Sequence, residues 1–460
     1  MNATDGLPYA TPDLPGIGGQ LKQRPEDFLV DEQPLYEPCG QGEHLYLYVE
    51  KRLLTTHELI RRIGKAFRVK RTDVGVAGLK DKHAVTRQHV SVHMPGFDKR
   101  AASQGVERLQ KSDRVAVLWA EAHTNKLRRG HHGGNRFTLA VRGVDAGSAV
   151  RAKRVLDILT RTGFPNYVGD QRFGYRQNSH EVGAMMLRGD YDAVVHELML
   201  KHHPTDSPQI TKAREALLKD DYANALRLWP QALRYDRQAL DAMRKGKTGR
   251  AVLNALDVNQ RRMLSSAWQS AAFNRVLAER VAEGSWARLL LGDVAWKHAN
   301  RALFEADADA IATDNAPGGR VEQIEVSPSG PLWGADMPRA TDHPGDIELQ
   351  ALAESGLTEA QLSGPDDAPS GVAVEGLRRP LREPILDPDL SAGADDHGPF
   401  VKVSFTLRRG AYATMVMREI MKPSAPNANE RPASTASAES PPHKQSETVP
   451  ATETESEPRP

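Results

Sequence analysis

Cysteine is almost missing from this chain. Cys39 stands alone, which excludes an internal disulfide framework and a zinc site built on cysteine pairs. It also fits a reducing cytoplasm. Apolar residues are scarce for 460 positions: hydrophobic types make up 39%, so part of the chain is expected to stay outside any core. No run approaches the ~18 apolar residues of a membrane span. The start, MNATDGLPYATPDLPG, lacks the basic stretch and apolar run of a secretory signal. A soluble cytoplasmic protein is expected. The phosphate-loop and dinucleotide fingerprints are missing, and no Gly-x-Ser-x-Gly elbow occurs. Neither nucleotide-cofactor nor serine-hydrolase chemistry is indicated. His83, His89 and His93 are spaced by six and four, which does not match a helical His-Glu-x-x-His pair, and no metal is expected.

What is present is charge, unevenly placed. The net charge is +1, yet residues 301–400 carry about 20 acidic and about 6 basic side chains. Residues 1–300 with 401–422 are left near +18, roughly, once the mildly acidic tail is set aside. A basic body with a segregated acidic segment suggests a polyanion partner, although acidic loops can also serve solubility alone.

Hydrophobic periodicity outlines the fold. Phe28 and Val30 suggest a strand entered through Arg24-Pro25. HLYLYVEKR (His44 to Arg52) alternates as a strand. Thr55 and Thr56 offer an N-cap for a helix to about Phe67. Val74 to Ala77 is a short strand, and Val115 to Glu121 and Arg136 to Arg142 are two more. From His180 to about Glu283 the pattern is helical, and Val401, Val403 and Phe405 alternate again as a strand. The last block is too small to fold alone. It is expected to complete the first sheet, which makes the helical block an insertion. After Pro423 the chain is rich in Pro, Ser, Thr, Ala and Glu and is expected to be disordered.

The most distinctive window is AGLKDKHAVTRQ, Ala77 to Gln88, centred on Asp81 between Lys80 and Lys82. Adjacent cations favour an ionised carboxylate. Such a group can act as a nucleophile, but the window also fits a solvated charged turn. Elsewhere, aromatics and amides alternate with basic residues in Asn135-Arg136-Phe137, Asn166-Tyr167 and Gln171 to Arg176. That mixture suits RNA, because cations neutralise phosphate and aromatics stack on splayed bases. Gly163 to His180 reads as a poor core segment and a recognition loop. Phe28, Phe137 and Phe405 fit a strand core equally well. Arg378-Arg379 fits a solvated face better than a phosphate contact.

Five ordered motifs carry a resemblance: RPEDFLVDE (Arg24 to Glu32), AGLKDKHAVTRQ, NRF (Asn135 to Phe137), PNYVGDQRFG (Pro165 to Gly174) and GAYATMVMRE (Gly410 to Glu419). Together they closely resemble the TruD family of tRNA pseudouridine-13 synthases, over nearly the whole chain to Lys422. The resemblance implies an α/β (α+β) fold: a mixed, mainly antiparallel pseudouridine-synthase sheet with flanking helices, interrupted by a largely helical insertion. The implied boundaries are 1–162 and 377–422 for the catalytic domain, 163–376 for the insertion and 423–460 for a disordered tail. The implied reaction isomerises one uridine in the tRNA D-arm, with no cofactor and no metal. No obligatory protein partner is evident.

By the same resemblance, Asp81 matches the catalytic aspartate and Lys22 its paired cation. Phe28 and Phe405 would pack the flipped base, Asn135 would hydrogen-bond it, and Phe137 matches the aromatic beside the aspartate. Val168 stands where an aromatic is usual, and Arg408-Arg409 replaces a Pro-containing stretch. These departures touch none of the implied chemical roles. The alternative reading is an RNA-binding or RNA-chaperone protein without chemistry, which the basic, aromatic-rich character suits equally.

Overall fold

A computed structural model describes residues 4–145, 147–231, 233–362, 371 and 373–422. The tail expected to be disordered lies outside the described residues. Two compact units are formed. One consists of Asp13–Thr160 and the described residues from Pro384 onward; the other of Arg161–Glu383 and residues 4–12.

The first unit is built on an eight-stranded sheet. Its elements in chain order begin with β1 (Phe28–Pro34), β2 (His44–Arg52), α1 (Thr56–Phe67), β3 (Val74–Val76), β4 (Val85–His93), α2 (Lys99–Gln110), β5 (Val115–His123) and β6 (His132–Arg142). The strands Leu386–Asp395 and Gly398–Arg408 then join it, followed by the helix Ala413–Met421. The order across the sheet is Leu386–Asp395, Gly398–Arg408, β6, β1, β4, β2, β5, with β3 beside β4. Only the β1–β4 pairing is parallel. The mixed, mainly antiparallel sheet is thus present, and the returning chain does complete it.

Local chemistry explains α1. Thr55 accepts from the Glu58 amide at 3.2 Å, and the Glu58 carboxylate takes the Thr55 amide at 2.9 Å. This reciprocal cap satisfies two amides that a helix start leaves open. Leu59, Ile63, Ala66 and Phe67 then bury against Leu47 and Val49 of β2 and Val90 and Val92 of β4. Each large apolar side chain so buried stabilises the fold by roughly 1.5–3 kcal/mol.

Strand register decides what shares a face. Residues directly opposite each other on neighbouring strands point the same way. Lys51 lies opposite Thr86, Thr86 beside Val30, Val30 opposite Phe137, and Phe137 opposite Phe405. Glu32, Asn135 and Leu407 form the next row on that face. Helices cover the apolar part of the face, and its polar end meets the loop between β3 and β4.

The second unit is mainly helical, from Ser179–Arg188 to the long helix Val258–Ala282. It also holds a four-stranded sheet of Leu377–Pro380, Val326–Leu332, Val294–Lys297 and Leu303–Glu305, in that order. Leu377–Pro380 pairs with Val326–Leu332, and Arg382–Glu383 with Phe164–Pro165. The chain therefore leaves this unit after Glu383, later than the boundary at 376 implied by the resemblance.

Two sequence expectations fail here. Arg378 is not solvated: it is buried and forks onto Glu348 at 2.7 and 2.9 Å. Gly163 to His180 is not an open recognition loop. Phe164, Asn166, Tyr167, Val168 and Phe173 are buried, because their polar neighbours find fixed partners. The Asn166 amide donates to Pro380 O at 2.9 Å, and Asn274 exchanges two hydrogen bonds with the Val168 backbone. Tyr167 and Phe173 are core rings in this unit, unavailable to stack on bases. Part of the acidic region is also internal, since Asp314 holds Arg320.

Candidate active site

The site begins with a brace. Arg142, at the end of β6, exchanges two backbone hydrogen bonds with Gln20 at 2.9 and 3.0 Å. Its buried guanidinium forks onto Asp27 at 2.8 and 2.9 Å and reaches Asp395 at 2.8 and 2.9 Å. Asp27 in turn accepts from the Arg24 amide at 3.1 Å. The turn from Gln20 to Phe28 is thereby fixed at both ends. Within it Lys22 takes a left-handed backbone, φ 60°.

That turn delivers Lys22 to the centre. Its Nζ lies 3.0 Å from Asp81 Oδ2 and 4.1 Å from the centroid of the Phe28 ring. Both side chains of the ion pair keep about a quarter of their surface, 27% and 26%. Ion pairs this open contribute little to stability, so the pair matters for its placement. Phe28 is buried on β1, with the cation over its face.

The loop carrying Asp81 is gripped through its backbone. The Lys80 amide donates to Thr56 Oγ1 at 2.9 Å, and that hydroxyl donates to Gln88 at 3.2 Å. Gly130 N donates to Ala77 O at 2.8 Å. From behind, the fully buried Lys51 donates to Leu54 O at 2.6 Å, Asp81 O at 2.8 Å and Lys80 O at 3.4 Å. Burial pulls the Lys51 ammonium down to about 8, with the charge of Asp81 opposing that fall.

Beside the loop, Lys80 turns inward. Its Nζ sits 2.7 Å from Glu32 Oε2 and 2.8 Å from Asn135 Oδ1. Burial alone would raise the Glu32 carboxyl, but Lys80 and hydrogen bonds from His89 outweigh it and hold the group at about 2. His132 is pushed down to about 4, by burial first and by Lys80 next.

Phe137 and Phe405 pack with ring centroids 5.9 Å apart. Phe405 is completely buried and Phe137 only partly so. Of the two rings the sequence singles out on these strands, Phe137 is therefore the one that keeps exposed surface. The structure brings all six expected residues into one neighbourhood. Lys22 joins Asp81 to Phe28; Lys80 joins the Asp81 loop to Asn135; and Phe137 follows Asn135 on the same face of β6, backed by Phe405.

Sequence reading missed Lys51, Glu32 and Arg142. A signal for two of them existed. Glu32 continues the inward set Phe28, Val30, and Lys51 the inward set Leu45, Leu47, Val49. A charge at an inward position of a strand needs a buried partner. Arg142 gave no such sign, because its partners are remote in sequence.

These features define an α/β protein in which a partly exposed carboxylate, held against a lysine, lies beside an aromatic-bearing sheet face. Comparison with known proteins makes the class specific. The family model for tRNA pseudouridine synthase D (TruD) matches residues 5–420. The tRNA pseudouridine synthase D of Geobacter metallireducens is 39% identical over 421 residues, covering 91% of this chain and 98% of that one. Its counterpart in Geobacter sulfurreducens is 40% identical over 417 residues, 90% of this chain and 96% of that one. A crystal structure of a TruD protein from Methanosarcina mazei superposes with a TM-score of 0.74 at 26% identity, covering 90% of this chain and 96% of that one. The chain belongs to the tRNA pseudouridine synthase D family, whose members are isomerases. No helix among the described residues is long and apolar enough to cross a membrane.

Proposed function

We propose that this protein converts uridine to pseudouridine at position 13 in the D-arm of tRNA, in the cytoplasm, with Asp81 performing the chemistry. The observation that carries the reading is the Lys22–Asp81 pair, 3.0 Å long and accessible, set over the Phe28 ring. Uridine and pseudouridine contain the same atoms, so no co-substrate is consumed.

The target nucleotide leaves its stack and enters the site. Phe137 receives the base, with Phe405 behind it, and Phe28 closes the side below Lys22. Asn135 hydrogen-bonds the base. Two routes suit an ionised Asp81. It attacks C1′, displacing the uracil and forming a sugar ester, or it removes a sugar proton and leaves a glycal. In the first route carbon 5 of the freed uracil attacks C1′ and the Asp81 ester bond breaks, releasing the carboxylate; in the second, carbon 5 bonds to C1′ and the sugar carbon recovers its proton. In either case carbon 5 then loses its proton and N1 gains one, so the atoms balance. Lys22 keeps the carboxylate ionised and aimed. The unit with the eight-stranded sheet is the catalytic part, and Arg161–Glu383 is the inserted part.

Mapping pseudouridine in tRNA from cells with and without the gene tests this directly. Loss of the modification at position 13 of one or more tRNAs is expected. An unchanged map at that position contradicts the assignment.

A further inference from the structure

We infer that Lys80, anchored by Glu32, sets the orientation of the Asn135 amide and thereby makes the site select uracil over cytosine. The inference rests on the reading that Asn135 contacts the target base. An ammonium group has donors only, so the amide atom facing it must be the oxygen. Lys80 Nζ is 2.8 Å from Asn135 Oδ1. The amide is therefore fixed with Oδ1 inward and Nδ2 outward. Among the described residues Lys80 is the hydrogen-bond partner of this side chain, and the residue is half-buried, so Nδ2 remains available to a ligand.

A free Asn can turn over and read either a donor or an acceptor. A fixed Nδ2 can only donate. Both pyrimidines carry a C2 carbonyl, but uracil offers an acceptor at C4 where cytosine carries an amino donor, so selection follows with Nδ2 facing position 4. Donor facing donor leaves both groups without an acceptor, which disfavours cytosine in the site.

The anchor is built for permanence. Glu32 is buried, bonds Lys80 at 2.7 Å and accepts from the His89 amide at 3.0 Å. Gly78 gives the ammonium room: a Cβ there would stand 3.3 Å from Lys80 Nζ and 3.6 Å from Glu32 Oε2. Lys80 is thus a positioning residue, acting on the base through Asn135.

Competition binding of two transcripts of one tRNA, with uridine or cytidine at the target nucleotide, provides the test. It is done with full-length protein carrying Asp81→Asn, so that neither transcript is converted. The parent favours uridine. Asn135→Ala lowers that preference about tenfold. Lys80→Met with Glu32→Gln, which removes the donor without stranding a buried charge, lowers it equally, while Lys80→Arg retains it. Asn135→Asp turns an acceptor toward the base and drops the preference below that of Asn135→Ala. If the folded double variant keeps the parent's preference while Asn135→Ala loses it, the role of Lys80 is overturned and the reading of Asn135 survives. If Asn135→Ala changes nothing, both fall. Should the double variant not fold, Asn135→Asp decides: a preference equal to that of Asn135→Ala overturns the inference.

Discussion

The Nζ of Lys22 lies 3.0 Å from Asp81 Oδ2 although 58 residues separate the two in the chain. The pair is open enough to admit a ligand and is not itself a pillar of the fold. Lys22→Met is therefore expected to lower kcat for pseudouridine formation by about a hundredfold or more. The melting temperature should move by no more than a couple of degrees, since exposed pairs contribute about 0–1 kcal/mol. Steady-state kinetics with a tRNA transcript and a thermal melt check both halves.

Arg142 should behave in the opposite way. Its guanidinium is buried between Asp27 and Asp395, so Arg142→Ala strands a buried carboxylate. A loss of about 3–5 kcal/mol is expected, read by denaturant unfolding. Asp27→Asn with Arg142→Gln should recover part of it.

Acid stability follows from Glu32. Its folded value is about 2 against an ordinary 4.5. Between those values the unfolded chain binds a proton that the folded chain does not. The contribution is thus complete above about pH 4.5 and is lost as pH falls toward 2, and it amounts to roughly 3 kcal/mol. Glu32→Gln should flatten the unfolding free energy across that window. An unchanged slope between pH 4.5 and 2 argues against the role of Glu32.

Lys51 supports the Asp81 loop through carbonyl oxygens of Leu54, Lys80 and Asp81. Lys51→Met leaves these acceptors without that donor, at a cost of about 1–3 kcal/mol. If the grip on the Asp81 backbone is what places the carboxylate, kcat falls more than tenfold while KM stays within a few-fold. Equal changes in both constants would point to lost binding instead.

Much of this was readable from the chain. Alternation in His44 to Arg52 gave β2, and the Thr55–Glu58 spacing gave the start of α1, because both signals are local. The six candidate site residues were reached through motif resemblance; the strand register sets Asn135, Phe137 and Phe405 together, while Lys22 and Asp81 come in from loops. Contacts between remote buried charges stayed hidden. Arg378 looks like any surface arginine until the fold sets Glu348 against it. Tyr167 and Phe173 looked exposed for the same reason: the polar residues around them are satisfied by backbone groups far along the chain. Glu32 and Lys51 were legible in principle, as charges at inward strand positions, since burial of a charge announces a partner.

The assignment of the chemistry to Asp81 is tested most directly by Asp81→Asn, with pseudouridine formation and tRNA binding measured on the same preparation. The predicted result is a loss of at least about a thousandfold in the rate of pseudouridine formation, with tRNA affinity held within a few-fold. Undiminished conversion by the variant would contradict the account.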